Sequence, residues 1–349
     1  MSRYELMQYN RCGSSGLKLP VVSLGGWHNY SNPDQARTLT LKAWELGITH
    51  LDFANNYGPP PGAAETSFGK IMRHDLAGHR DELIISSKAG YYMWEGPYGD
   101  WGSKKYLTAS LHQSLKRLQL DYVDIFYSHR FDPDTPLEET MGALAQFIRE
   151  GKALYAGISN YPAKAAKKAA KIMTKLHAPL IIHQCAYNML DRHIEDKVLE
   201  ETAAHGMGMI VFSPLAQGQL TDRYLHGIPA DSRAATGGFL KPEQITKQKI
   251  EVIAKLNDLA KARGQTLSQL ALTWLLRDRR VTSLLIGASK PEQITDCCKV
   301  LTAGLLSAEE LRTIETILAP VSPSPLTPPA RPAVKKVLKP IVKKHRTFP

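Results

Sequence analysis

Thr49-His50-Leu51-Asp52-Phe53-Ala54-Asn55-Asn56-Tyr57-Gly58 begins as a short apolar strand and ends in a polar turn. It closes the apolar run with an acid and sets a phenol in the turn behind it. A carboxylate at a strand's end is hard to explain as packing, because burying an unpaired charge is costly. The stretch reads as half of an active site, with the strand as its support.

Outward from it the same short apolar run recurs. The runs are 21–26, 49–53, 83–87, 122–127, 153–158, 180–183, 209–212 and 283–286, eight in all. Ahead of them, Met7-Gln8-Tyr9 and Leu17-Lys18-Leu19 flank the Gly-rich turn Cys12-Gly13-Ser14-Ser15-Gly16 and read as a hairpin.

The segments between the runs carry helix signatures. Thr135-Pro136-Leu137-Glu138 combines a cap, a proline at the first helical position and a capping-box glutamate. Leu137, Met141, Leu144 and Ile148 then keep helical spacing, as do Leu107, Leu111, Leu115 and Leu118. Thr266–Gln269 is a second capping box, before a stripe of Leu267, Leu270, Ala271, Trp274 and Leu275. Gly264 is placed to end the preceding helix, and Ser307 and Glu310 cap a last one.

Strands alternating with helices imply a parallel sheet, either doubly wound or closed. Eight strands in a body of about 320 residues favour the closed (β/α)8 form. No G-x-G-x-x-G follows a strand and no P-loop is present. The predicted fold is an α/β (β/α)8 TIM barrel with an N-terminal β-hairpin over residues 1–320, and a separate tail over 321–349.

Composition bounds the rest. The 349 residues are 43% apolar, enough for a large core, and no run of about 18 apolar residues predicts a transmembrane helix. The N-terminus has no apolar stretch of the secretory kind. Cys12, Cys185, Cys297 and Cys298 have no metal-ligand or C-x-x-C spacing, which points to reduced thiols and a cytoplasmic protein. Of the net charge of +11, seven positive charges lie beyond Ala319, from Arg331 to Arg346, leaving a body of +4. The tail is rich in proline and lysine and is expected to be disordered or extended, a solvated segment with no specific partner ahead of the functional reading, contact to an anionic surface.

In a barrel the chemistry gathers at the C-terminal ends of the strands. Asp52 closes one run with Tyr57 just behind it, Lys88 follows another, and His129 follows a third. Singly, such residues usually mark a surface. Together they fit one reaction. Tyrosine is a poor proton shuttle near neutrality, with a pKa of about 10. An ammonium beside it favours the phenolate, and a carboxylate keeps that ammonium charged. Tyr57, Lys88 and Asp52 can thus form a tuned acid, with His129 orienting a substrate oxygen. A carbonyl receiving a hydride needs such a donor at its developing alkoxide. Metal-assisted hydrolysis and a G-x-S-x-G nucleophile find no counterpart.

These four residues, in this order and spacing, resemble the catalytic tetrad of the aldo-keto reductases. The branch most similar holds bacterial L-glyceraldehyde 3-phosphate reductase and the potassium-channel β-subunits. The resemblance extends through Asn55–Gly62, Tyr122–Arg130, Ser213–Gly218 and Ile286–Ser289, over residues 7–318. It implies NADPH/NADP+ as cofactor and a small aldehyde, of the glyceraldehyde 3-phosphate or methylglyoxal type, as substrate. By the resemblance Gly26 and Trp27 flank the nicotinamide, and Asp52 is also a cofactor contact. Ser159, Asn160 and Gln184 hold the carboxamide, and Phe212 supplies a stacking ring. Ser213, Leu215 and Gln217 line the pyrophosphate path. Arg223, Arg233 and Lys290 fall near the 2′-phosphate, although solvated loop charge explains the two arginines equally well. Gly287, Ser289 and Gln293 match the adenosine end. Asp296 and Cys297 stand where the family often has Glu and Asn. A homo-oligomer is one arrangement open to the chain, and the similarity to the channel subunits adds a rival role, as a cofactor-sensing binding protein.

Overall fold

The structure is a computed structural model and describes residues 2–236 and 239–321. The basic stretch from residue 322 to the C-terminus, and with it the predicted boundary and tail, lies outside the described residues.

Two short strands come first, β1 (Tyr9–Arg11) and β2 (Lys18–Pro20), paired antiparallel as a hairpin. Eight strands follow: β3 (Val22–Gly25), β4 (His50–Asp52), β5 (Ile84–Ala89), β6 (Val123–Ser128), β7 (Ala153–Ser159), β8 (Leu180–Ala186), β9 (Gly208–Phe212) and β10 (Val281–Ile286). They close into one parallel barrel in chain order, β10 pairing with both β3 and β9. Each predicted run lies on one of these strands, within a residue or three at its ends.

The helices wrap the outside: α1 (Pro33–Glu45), α2 (Ala63–His74), α3 (Lys104–Leu118), α4 (Leu137–Arg149), α5 (Ala163–Lys175), α6 (Val198–Ala204), α7 (Lys247–Ala262), α8 (Leu267–Leu276), α9 (Pro291–Cys298) and α10 (Ala308–Leu318). Their signatures hold where local chemistry is unopposed. Thr266 and Gln269 form the capping box of α8, and Ser307 and Glu310 that of α10. Gly264 adopts a left-handed φ of 67° just after α7. The stripe on α8 is buried, and Leu272 and Thr273 are buried too, so the helix is enclosed on every side.

The start of α4 corrects the sequence reading. Pro136, not Thr135, is the capping residue, and no side chain caps this end. The Thr135 hydroxyl donates instead to Asp132 at 2.6 Å. Asp132 also accepts from the backbone amides of Asp134 and Gly102, at 2.9 and 3.0 Å. That bond turns the Thr135 side chain toward Asp132 and away from the first amides of α4.

A strand's period of two sorts the barrel's contents. Leu51 and Ile85 face outward into the large core shared with the helices. His50, Asp52, Ser86 and Lys88 face inward, where Ile125, Tyr127, Ile182, Ile210 and Leu285 also meet. The hairpin plugs the N-terminal end of the barrel. Asn10 donates to the Thr282 carbonyl at 3.0 Å, and Cys12 and Leu19 are fully buried against β6 and β8 residues. Gly13 has no alternative there: its φ is 55°, and a Cβ would stand 2.0 Å from the Gly206 carbonyl oxygen. With the floor sealed, the open end is the one where the strands finish.

Candidate active site

The open end gathers the predicted acid, phenol, ammonium and imidazole. β4 ends at Asp52 and β5 carries Lys88 two residues beyond its pairing of Ser86 with Asp52. Both are fully buried. The Lys88 ammonium is ion-paired with Asp52 Oδ2 and donates to the Phe53 carbonyl at 2.7 Å. Asp52 Oδ1 accepts from Ser86 Oγ at 2.6 Å and from Gln184 Nε2 at 3.2 Å. These bonds answer the objection to a carboxylate at a strand end: the charge is paired and its other lone pairs are satisfied. Burial draws the Lys88 proton affinity down, while Asp52 and Glu65 push it back up.

Tyr57 stands above this pair. Its ring centre lies 5.0 Å from Lys88 Nζ, 5.9 Å from the His129 ring and 6.2 Å from Trp27. The preceding turn is pinned by Asn55, whose amide nitrogen donates to Tyr106 at 2.9 Å and Ser110 at 3.1 Å. Here the structure departs from the sequence expectation of a lowered phenol pKa. Enclosure of the ring pushes the Tyr57 phenol well above its ordinary value, and Asp52 and Tyr91 push the same way. The Lys88 ammonium gives its hydrogen bonds to Asp52 and the Phe53 carbonyl, and with the Asp52 charge beside it the pair does not offset the enclosure of the ring.

His129 is 7% exposed, its ring edge-on to Tyr91 at 4.6 Å between centres. Burial, then the charges of Lys88 and Arg130, hold its pKa well below the ordinary histidine range. It is a neutral imidazole at physiological pH, and its Nδ1 is buried without a partner. Arg130 is itself fixed, 3.6 Å above the Trp101 ring and 2.6 Å from Asp100.

The residues expected to hold a cofactor line the same rim in part. Gly26 sits against Phe53, whose ring is 2.2 Å from where a Cβ would stand, so the closeness of that ring demands glycine. Trp27 packs on Phe239 at 5.1 Å between ring centres. Ser159 Oγ is buried with no hydrogen-bond partner, beside Asn160 in the left-handed region at φ 54°. Ser213, Ala216 and Gln217 share that conformation at φ 52°, 48° and 59°. These four are most of the seven such non-glycine residues among those described. Strain of this kind, at about 1–3 kcal/mol per residue, gathers where a backbone is shaped for a ligand. Leu215 and Phe212 are half-buried beside them.

The arginines part company. Arg223 is taken by Asp231, at 2.9 Å to its carboxylate and 3.0 Å to its carbonyl. Arg233 has no carboxylate partner among the described residues, and its guanidinium is 3.9 Å from where a Cβ on Gly287 would stand. At the start of α9, Gln293 Oε1 accepts from the backbone amides of Ser289 and Lys290, at 2.7 and 3.3 Å. Cys297 is not brought to this rim. It is 4% exposed in the core under α9, with burial raising its thiol pKa to about 12. Asp296 is also occupied, accepting from Gln269 at 2.6 Å and Thr266 at 3.0 Å. A helix that turns one residue inward turns its i+3 and i+4 neighbours with it, and Cys297 shares the buried face with Ile294.

Sequence reasoning missed His50, Ser86, Glu65 and the aromatic pair Tyr91 and Trp101. His50 was within reach, since the period of two places it on the same face as Asp52. Glu65 was not: it lies on α2, where its spacing reads as a surface carboxylate, yet it is fully buried between Ser87 and Arg117.

The model of the aldo/keto reductase family matches residues 21–319. L-glyceraldehyde 3-phosphate reductase of Escherichia coli (strain K12) is 51% identical over 325 residues, 91% of this chain and 94% of the relative. A putative voltage-gated potassium channel subunit beta of Schizosaccharomyces pombe is 38% identical over 321 residues, covering 88% and 92%. A probable subunit of the same kind in Oryza sativa subsp. japonica is 34% identical over 321 residues, covering 89% and 97%.

Proposed function

This chain belongs to the aldo/keto reductase family, and from that premise we propose an NADPH-dependent reductase of small aldehydes. It is an oxidoreductase acting on aldehydes. The proposed substrates are of the L-glyceraldehyde 3-phosphate type, after the relative of that name, and include the dicarbonyl methylglyoxal.

The observation that carries the reading is the fully buried Lys88–Asp52 pair set beneath Tyr57. The rim fits a nicotinamide nucleotide: among the described residues Ser159 Oγ is a buried polar atom without a partner and Arg233 a cation without a carboxylate. Ser159, Asn160 and Gln184 would hold the carboxamide, and Ser213, Leu215 and Gln217 the pyrophosphate path. Arg233, with Lys290, would take the 2′-phosphate, for which a guanidinium fork is suited. When bound, NADPH supplies the hydride.

The protein's own part is to bind, orient and protonate. A neutral His129 can offer an N–H to the carbonyl oxygen without placing a second full charge there. Trp27 lies beside Tyr57 and Tyr91 beside His129, so aromatic rings flank both groups. As the carbonyl carbon gains the hydride, its π electrons move onto oxygen, and the Tyr57 hydroxyl gives that oxygen its proton. A raised phenol pKa keeps Tyr57 protonated until the alkoxide forms, a far stronger base than the phenolate left behind. Lys88 then faces that phenolate and stabilises it.

A second reading, a cofactor-sensing subunit with slow chemistry, draws on the similarity to the channel subunits. Steady-state turnover of an aldehyde panel, with NADPH and NADH side by side, separates the two. Efficient NADPH-linked reduction that Tyr57→Phe abolishes is expected; tight NADPH binding without turnover would favour the sensor.

A further inference from the structure

Beneath Asp52 the barrel interior holds a line of polar side chains that the proposed reaction does not use. Asp52 Oδ1 meets Ser86 Oγ at 2.6 Å, and Ser86 Oγ meets His50 Nε2 at 3.0 Å. His50 Nδ1 meets Ser23 Oγ at 2.9 Å, and Ser23 Oγ meets Ser283 Oγ at 2.7 Å. Ser283 Oγ ends the line at the Pro20 carbonyl, 2.6 Å away, on the hairpin floor. Asp52, Ser86, His50, Ser23 and Ser283 are all fully buried.

Counting protons along this line limits its directions. It has five contacts, and its two ends, an ionised carboxylate and a carbonyl, only accept. Three hydroxyls and one neutral imidazole bring four protons, so one contact goes without. A bond to an ionised acceptor is roughly twice as strong as a neutral one, so the Asp52 end keeps its proton. The single Ser86 proton is then committed to Asp52, and Ser86 can only accept from His50. Donors that all point toward the carboxylate polarise one another, so the arrangement favoured has His50 carrying its proton on Nε2 and accepting from Ser23 on Nδ1. The missing proton falls at Ser283, at the far end.

We propose that His50 is a positioning residue for the reaction: held as the Nε2–H tautomer, it fixes the Ser86 hydroxyl as a donor to Asp52 and so keeps the Asp52–Lys88 pair ionised beneath Tyr57. The inference rests on the reading of that pair as the support of the proton donor. The charges around it agree. Burial and Lys88 drive the His50 proton off, to a pKa of about 4, against the pull of Asp52. His50 is therefore neutral at physiological pH and the count holds. From the other side Lys88 faces Glu65 on α2, which is tied to Ser87 and Arg117, and the phenols of Tyr57 and Tyr127 complete the set.

The first test needs no turnover. The full chain, labelled with 15N-histidine, gives long-range 1H–15N spectra at pH 7 in which the His50 signals are those lost in His50→Gln. An Nε2–H tautomer is expected. An Nδ1–H tautomer or an imidazolium overturns the inference, whether or not any aldehyde is reduced. The second test is the pH profile of kcat/KM. His50→Phe takes away the N–H that polarises the Ser86 hydroxyl toward Asp52 and is expected to move the acid limb up, by less than the roughly one pH unit that a whole charge-assisted hydrogen bond is worth. His50→Gln offers both an N–H and a carbonyl oxygen and is expected to restore the limb. Coincident limbs in folded variants with wild-type NADPH affinity overturn the inference, and if His50→Phe does not fold the tautomer decides. A wild-type chain without turnover refutes the proposed function and leaves the tautomer test standing.

Discussion

The Lys88 ammonium lies 5.0 Å from the centre of the Tyr57 ring, yet its hydrogen bonds go to Asp52 and the Phe53 carbonyl. It acts on Tyr57 through space, as a fixed charge, and is itself fixed by a buried partner. This arrangement separates activity from stability. Lys88→Met removes the charge that favours the phenolate, and kcat is expected to fall about 10²–10⁴-fold. It also strands Asp52, at a stability loss of about 3–5 kcal/mol. The double variant Lys88→Met/Asp52→Asn should recover most of the stability and none of the activity. Urea unfolding and steady-state rates on the three proteins check this; recovery of turnover in the double variant would refute it.

Tyr57 offers a titration. Its phenol is raised well above the ordinary value by enclosure, Asp52 and Tyr91. The free protein should therefore show no Tyr57 phenolate absorbance below a pH of about 10. Ultraviolet difference titration of wild type against Tyr57→Phe tests it. A step below that pH, lost in the variant, would mean that Lys88 does lower the phenol after all. The same variant is expected to keep NADPH affinity and lose about 10²–10⁴-fold in kcat.

The barrel was legible because each run such as 49–53 or 122–127 is short, apolar and bounded, and the alternation with capped helices admits few closed solutions. The hairpin showed itself through Gly13 and its flanking alternation. The candidate tetrad was legible because Asp52, Lys88 and His129 stand at or just past strand ends and Tyr57 lies in the turn behind one of them. What the chain order concealed are the competitions. Thr135 carries the letters of a capping box, but Asp132 takes its hydroxyl. Lys88 was expected to tune Tyr57 directly, but Asp52 and Phe53 claim its protons. Cys297 stood at a cofactor position only through the family resemblance, while the rotation of α9 that buries it with Ile294 is set by packing against α1 and α8. Such outcomes depend on which of several acceptors lies nearest in space.

Buried neutral histidines make stability fall with acid. His183 accepts from the Tyr161 amide at Nε2, 3.2 Å, and its other nitrogen meets Thr202 at 3.0 Å. Burial, then His193, takes its pKa to about 3, and burial takes that of His50 to about 4. Both folded values lie below the unfolded value of about 6.5. The unfolded chain thus binds more protons between those limits. The stabilisation is fully present above a pH of about 6.5 and is lost as pH falls toward the folded values. Each histidine should remove about 1.4 kcal/mol per pH unit across that window. Urea unfolding at intervals from pH 7 to 5 measures the slope. His183→Gln should flatten it by about one histidine's share; an unchanged slope would show that His183 is protonated in the fold.

The two arginines near the mouth should differ in their effect on cofactor choice. Arg223 is already paired with Asp231, and freeing it for a phosphate means breaking a 2.9 Å contact. Arg233 has no carboxylate partner among the described residues and approaches Gly287 at the end of β10. A new charge-assisted pair contributes about 1.5–3 kcal/mol, so Arg233→Ala should raise KM for NADPH about 10–100-fold. NADH lacks the 2′-phosphate, so its KM should stay within about twofold, and kcat should hold for both. Arg223→Ala should move KM for NADPH less, since its charge is half-spent on Asp231. Raising ionic strength should narrow the NADPH advantage in wild type and hardly affect Arg233→Ala, because screening acts on the charge that the variant lacks. Equal shifts for NADPH and NADH in Arg233→Ala would place the arginine's role in loop structure rather than in phosphate recognition.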